Sequence, residues 1–144
     1  MITRPDYPSY GNWIARGATT LWEVFQPEGS DRIGSLNHHF WGDISSWFTQ
    51  ALSGIRMAPH GEPNEVDFRP SFISRLTHAE AFHIAPAGRI ASAWERDEDD
   101  VIVLTVELPS TMHGVIRLES GYVFEDGLAY KAAESGTYRI HSIE

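Results

Sequence analysis

The feature that most constrains this chain is a change in the spacing of its apolar residues. Phe40, Ile44, Trp47, Phe48, Ala51, Leu52 and Ile55 recur at steps of three and four, which lines one face of an α-helix. From Val66 onward the period falls to two, the pattern of strands. Because the two patterns follow one another instead of alternating, the chain reads as α+β, a helical segment followed by an antiparallel β-sandwich.

The period-two region predicts strands over 66–73, 78–84, 90–95, 101–108, 114–118, 122–124, 128–131 and 137–143. Turn signals separate them, among them Pro86-Ala87-Gly88, Asp97-Glu98-Asp99-Asp100 and Glu125-Asp126-Gly127. In 101–108 the alternation assigns Ile102, Leu104, Val106 and Leu108 to the core face of a central strand.

Ser35 or Asn37 is the natural N-cap of the helix before this region, and Asp43 suits the helix dipole. Gly54, followed by Pro59 and Gly61, ends it. Residues 56–70 carry three Pro and one Gly, a composition shift that marks a boundary. The expected organisation is therefore terminal helical segments over 1–58, a linker over 59–70 and a sandwich over 66–144. Before the helix, Pro5, Pro8 and Gly11 punctuate Tyr7, Tyr10 and Trp13, predicting extended or turning backbone with a helical turn near Trp13. Thr19 or Thr20 caps a short predicted helix through Leu21, Trp22, Val24 and Phe25, and Gln26-Pro27-Glu28-Gly29-Ser30-Asp31 is a turn or loop.

The bulk numbers exclude several functions. With 20 acidic against 11 basic residues, a net charge of −9 and no basic run, the surface is unsuited to nucleic acid. There is no cysteine, so disulfides, thiolate metal sites and a cysteine nucleophile are absent. No stretch approaches membrane-spanning length and the first residues lack an apolar signal core, so no membrane partner is expected and cytoplasmic is the default localisation. Aromatic residues make up 12%, and rings with polar edges suit either a sugar-binding cleft or a core.

Candidate chemistry centres on Glu23. Flanked by Trp22 and Val24, its carboxylate would be partly desolvated and so raised toward a range useful for proton transfer. From spacing alone, a surface charge at a helix end is the commoner reading of the same residue. His38 and His39 could hydrogen-bond a hydroxyl ligand, or be one exposed and one cap-bonded ring. His39 and Asp43 are four apart and could share a metal, but no third ligand has the spacing. His78 and His83, five apart on a strand, face opposite ways. No nucleophile elbow, P-loop or dinucleotide fingerprint occurs, and no cofactor is expected.

The order Asp6-Tyr7-Pro8-Ser9-Tyr10-Gly11, Gly17-Ala18-Thr19-Thr20-Leu21-Trp22-Glu23, Ser35-Leu36-Asn37-His38 and Gly42 resembles the last part of bacterial α-L-rhamnosidases of the inverting type. Downstream, Pro86-Ala87-Gly88-Arg89-Ile90, Trp94, Leu108-Pro109 and Ser135-Gly136-Thr137-Tyr138 are similar to that family's C-terminal β-domain. The resemblance implies the last helices of an (α/α)6 barrel followed by the sandwich, with no metal at the catalytic centre. It maps the general base onto Glu23 and a rhamnose contact onto His38, with Trp22 and Trp41 lining the sugar pocket. The implied partner is a rhamnose-containing glycoside. The family's general acid belongs to barrel helices upstream, so the isolated chain is expected to be inactive, a C-terminal portion of the enzyme. The alternative from a different class is a non-catalytic carbohydrate-binding or oligomerisation module, with Trp22, Trp41 and Trp47 as its surface. A homodimer through the exposed helix face would cover the apolar stripe.

Overall fold

The computed structural model describes residues 2–30 and 34–143. In the period-two region, strands form where alternation places every second side chain on a common apolar face. They are β2 (Val66–Phe68), β3 (His78–Ala85), β4 (Gly88–Arg96), β5 (Ile102–Glu107), β6 (Val115–Arg117), β7 (Tyr122–Phe124), β8 (Tyr130–Ala132) and β9 (Gly136–Ser142), preceded by β1 (Ile55–Met57). One sheet has the order β1-β2-β6-β8 and the other β3-β4-β5-β9-β7. All ladders are antiparallel except the join of β2 to β6, where Phe68 lies beside Ile116 in parallel. This is the α+β, sandwich-containing class that the apolar spacing predicts.

The core sits between the sheets. Ile102, Leu104 and Val106 are buried, as the alternation in β5 requires, and they join Phe68, Ile90, Trp94, Ile116, Phe124 and Ile140. At β5's far end Leu108 is only partly buried. The register follows from this burial, because a one-residue slip would turn these side chains to water.

The chain divides into two compact units, Met1–Ser45 and Ser46–Glu144. In the first, helix α1 (Tyr10–Ala15) is capped by Ser9, whose side chain accepts the Asn12 N–H. The helix closes with Gly17 N–H on the Ile14 carbonyl and Ala18 N–H on that of Trp13. Such a paired closure needs a left-handed residue, and Gly17 supplies it with φ +83°. The expected turn at Trp13 is thus a short helix.

Four expectations change. The second helical stretch is built in pieces: a 3₁₀ turn at Phe40–Gly42, helix α2 (Asp43–Trp47) and a π turn at Phe48–Leu52. His39, not Ser35 or Asn37, precedes it, and no side chain caps it. Its stripe is only partly covered. Phe40 is 65% exposed and Trp47 and Phe48 about two-fifths, whereas Leu52 is buried, and Ile55 has already entered β1. The second change concerns residues 59–70. Of the strand predicted from 66 to 73 only Val66–Phe68 forms, as β2, and it pairs with both β6 and the unexpected β1, with Val66 and Phe68 fully buried. Three prolines fall in the loop and at its edges, where no ladder bond is needed.

Third, the division of the chain into two units falls between Ser45 and Ser46, ahead of the proline-rich stretch. Fourth, no helix forms over 21–25. There, Trp, Val and Phe are mediocre helix formers, and the backbone finds partners elsewhere. The turn after it is present at Pro27, whose carbonyl accepts the Ser30 N–H, while Asp31 lies outside the described residues.

Candidate active site

In place of a helix, residues 20–23 run alongside 35–38. The Glu23 N–H donates to the Ser35 carbonyl (2.8 Å) and the His38 N–H to the Leu21 carbonyl (2.8 Å). The Thr20 hydroxyl donates to the Leu36 carbonyl. The segments that carry Glu23 and His38 are therefore held together by main-chain bonds.

Glu23 is fixed from three directions. Its carboxylate Oε2 accepts the Ser35 N–H at 2.8 Å, and its carbonyl accepts the Trp41 indole N–H at 2.9 Å. Gly34 lies alongside, where a Cβ would come within 3.1 Å of Val24 Cγ2 and 3.4 Å of Oε2, and the Glu23 N–H is held by the Ser35 carbonyl. Glu23 is half-buried, but Val24 is 39% exposed, so the apolar flank expected on that side is missing. An oriented, partly accessible carboxylate is suited to taking a proton from water.

His38 is half-buried, and its Nδ1 accepts the Phe40 N–H at 3.3 Å. With Nδ1 used as an acceptor, the neutral ring carries its proton on Nε2, where it can donate to a hydroxyl. Its ring stacks on that of His39, with centroids 5.0 Å apart. The pair is thus one half-buried and one exposed imidazole. Among the described residues no three groups of metal-ligating type converge.

The aromatic rings form a continuous layer beside these groups. Trp13 stacks on Phe25 at 4.3 Å, Phe25 meets Trp41 at 5.0 Å, and Tyr10 stands edge-on to both Trp13 and Phe25. The structure brings Trp41 directly onto the Glu23 backbone. It places Trp22 differently, tilted against Trp13 at 5.9 Å with the Arg16 guanidinium 5.2 Å over its ring.

Three supporting residues were not singled out by sequence reasoning as site groups. Ser35 anchors the carboxylate, Phe25 links the Trp13 and Trp41 rings, and the Tyr10 hydroxyl donates to the Trp41 carbonyl at 3.2 Å. Burial, and then the charge of Asp43, push the Tyr10 phenol up, so it stays a donor. Only the density of rings in 7–25 hinted at this layer.

Comparison with known proteins matches the chain in two regions. The bacterial alpha-L-rhamnosidase 6 hairpin glycosidase domain model matches residues 1–52, and the bacterial alpha-L-rhamnosidase C-terminal domain model matches residues 64–122. The chain is 32% identical over 117 residues to an alpha-L-rhamnosidase of Formosa agariphila, covering 77% of this chain and 12% of that protein. Against an alpha-L-rhamnosidase of an Alteromonas species the identity is 28%, covering 99% of this chain and 17% of that one. The chain thus spans well under a fifth of the length of these curated relatives. Among solved structures, alpha-L-rhamnosidase from Dictyoglumus thermophilum superposes with a TM-score of 0.77 at 25% identity, covering 97% of this chain and 18% of that one. The Streptomyces avermitilis alpha-L-rhamnosidase, solved with L-rhamnose, shares the fold with a TM-score of 0.75 at 24% identity, covering 95% of this chain and 15% of that one.

Proposed function

This chain belongs to the bacterial alpha-L-rhamnosidases, matching their C-terminal part, and on that premise we propose that Glu23 is the general base of rhamnoside hydrolysis. The observation that carries the reading is the anchored carboxylate, with Oε2 on the Ser35 N–H and the Glu23 carbonyl on the Trp41 indole. A base must hold one orientation toward the attacking water, and these bonds supply it.

In the inverting reaction the base deprotonates water on one face of the sugar while an acid protonates the leaving oxygen on the other. The two carboxyl groups stand roughly 6.5–9.5 Å apart to admit that water. His38 Nε2 donates to a rhamnose hydroxyl, and Trp41, bonded to the Glu23 carbonyl, gives the pocket its apolar wall. The acid comes from barrel helices outside these 144 residues, so the chain alone does not turn over substrate. The substrate class is a terminal α-L-rhamnoside.

The test replaces the matching C-terminal part of a relative's enzyme with this chain and follows an aryl rhamnoside. Hydrolysis is expected to release the inverted anomer and to fall about 10²–10⁴-fold in Glu23→Gln. Retention of configuration, or a Glu23→Gln chimera as active as its parent, overturns the assignment. Hydrolysis by the unfused chain, lost in Glu23→Gln, overturns its inactivity alone.

A further inference from the structure

The sandwich has four sheet edges, and three of them are short. β1, β8 and β7 contribute three residues each. The fourth, β3, is eight residues long and, among the described residues, pairs on one side only, with β4. Its ladder to β4 runs from His78 opposite Glu95 to Ala85 opposite Gly88 with no bulge. Edges of this kind are normally blocked by Pro, Lys, a bulge or an inward charge. β3, His78-Ala79-Glu80-Ala81-Phe82-His83-Ile84-Ala85, has no Pro, no Lys and no inward carboxylate.

The phase of the ladder shows which groups are unspent. The Arg96 N–H donates to the Thr77 carbonyl at 2.8 Å, and the two-residue turn Pro86-Ala87 makes Ala85 and Gly88 a hydrogen-bonded pair. Ala79, Ala81, His83 and Ala85 therefore bond to β4. His78, Glu80, Phe82 and Ile84 aim their N–H and C=O groups away from the sheet. Phe82 and Ile84, 60% and 64% exposed, share the outer face with them.

We infer that β3 pairs antiparallel with β3 of a second copy of this chain, joining two five-stranded sheets across a two-fold axis at Phe82. A second copy is favoured by the strand's own complementarity. With Phe82 opposite its symmetry mate, Glu80 faces Ile84 of the other copy, next to that copy's Arg89 in the β4 register. Phe82 and its mate then form an aromatic cross-strand pair, which is favourable, and the other copy's Arg89, ion-paired with Glu107 of its own chain, brings positive charge toward Glu80. The Arg89 guanidinium, 5.1 Å over the Phe82 ring, closes the apolar centre from above. Sliding the axis to Glu80 would set two carboxylates face to face, which is unfavourable.

The absence of cysteine gives a clean test. Opposed residues of a hydrogen-bonded antiparallel pair stand about 5.5 Å apart at Cα, within disulfide range. Phe82→Cys is expected to form an interchain disulfide rapidly, and Glu80→Cys slowly. Wild-type protein should show, by light scattering, twice the 16.2 kDa of one chain. Its Glu80, Phe82 and Ile84 amides should exchange more slowly as concentration rises. Phe82→Pro removes an outward N–H without touching the β4 ladder, and should weaken association about tenfold or more. If that variant misfolds, Phe82→Lys reads the same edge. A 16.2 kDa mass throughout the micromolar range overturns the inference. So does a dimer whose β3 amides exchange freely, since that places the interface elsewhere, for instance on Phe40, Trp47 and Phe48. Amides of β3 protected equally at every concentration overturn it too, because the edge is then covered within one chain or by another partner.

Discussion

At the scale of single residues, buried polar partners matter more than the visible motif. Trp94 is almost fully buried, and its indole N–H donates to the Leu52 carbonyl at 2.8 Å. That carbonyl ends the Phe48–Leu52 turn and has no helical successor to receive. Trp94→Phe keeps an aromatic ring against Phe72 but strands the carbonyl in an apolar setting. The expected cost is about 1–3 kcal/mol, read as a lower urea midpoint at unchanged m-value. Glu23 shows the complementary case. Its type and neighbours allowed a base or a helix-end charge. The Ser35 N–H and the Trp41 indole come from residues 12 and 18 positions away, so no local pattern could reveal its anchoring.

At the scale of elements, strands were more legible than helices. β3, β4 and β5 fall where the alternation placed them, because a half-buried strand needs only one apolar face and a turn at each end. β1 and the pairing of β2 were hidden by three nearby prolines, whose composition resembles a linker. The join of β2 to β6 depends on close backbone approach at Gly114. A Cβ there would lie 1.7 Å from the Val66 carbonyl oxygen. Val66 cannot retreat easily, since it is fully buried and its N–H donates to the His113 carbonyl at 2.9 Å. Gly114→Ala should therefore cost at least about 2 kcal/mol, and amide exchange should quicken first in β2 and β6. The helical stretch was the harder element. Its three-and-four spacing correctly marked helical backbone, but spacing cannot report a 3₁₀ start or a π end, which follow from what each turn meets.

At the scale of the whole molecule, the two units differ in how they are held. Among the described residues, Trp13 is the one buried apolar side chain in Met1–Ser45, where edge-on and stacked rings do the packing. Ser46–Glu144 contains the rest of the buried apolar residues and both sheets. Residues 46–144 expressed alone should therefore keep a cooperative thermal transition and the near-ultraviolet signal of Trp94. A broad, non-cooperative melt would show that the sandwich depends on residues 1–45.

Residue order alone settled the class of fold, the existence of the eight later strands, the buried face of β5 and the likeness to α-L-rhamnosidases, because these rest on periodicity and on short ordered motifs. Three things required the folded chain: the partners of Glu23, the place of Trp22, and the division at Ser45–Ser46. Each depends on contacts between residues far apart in sequence. Burial of a strand is written in every second residue, whereas a hydrogen bond across 12 residues, or an unpaired edge such as β3, exists only once the sheets and loops have taken their places.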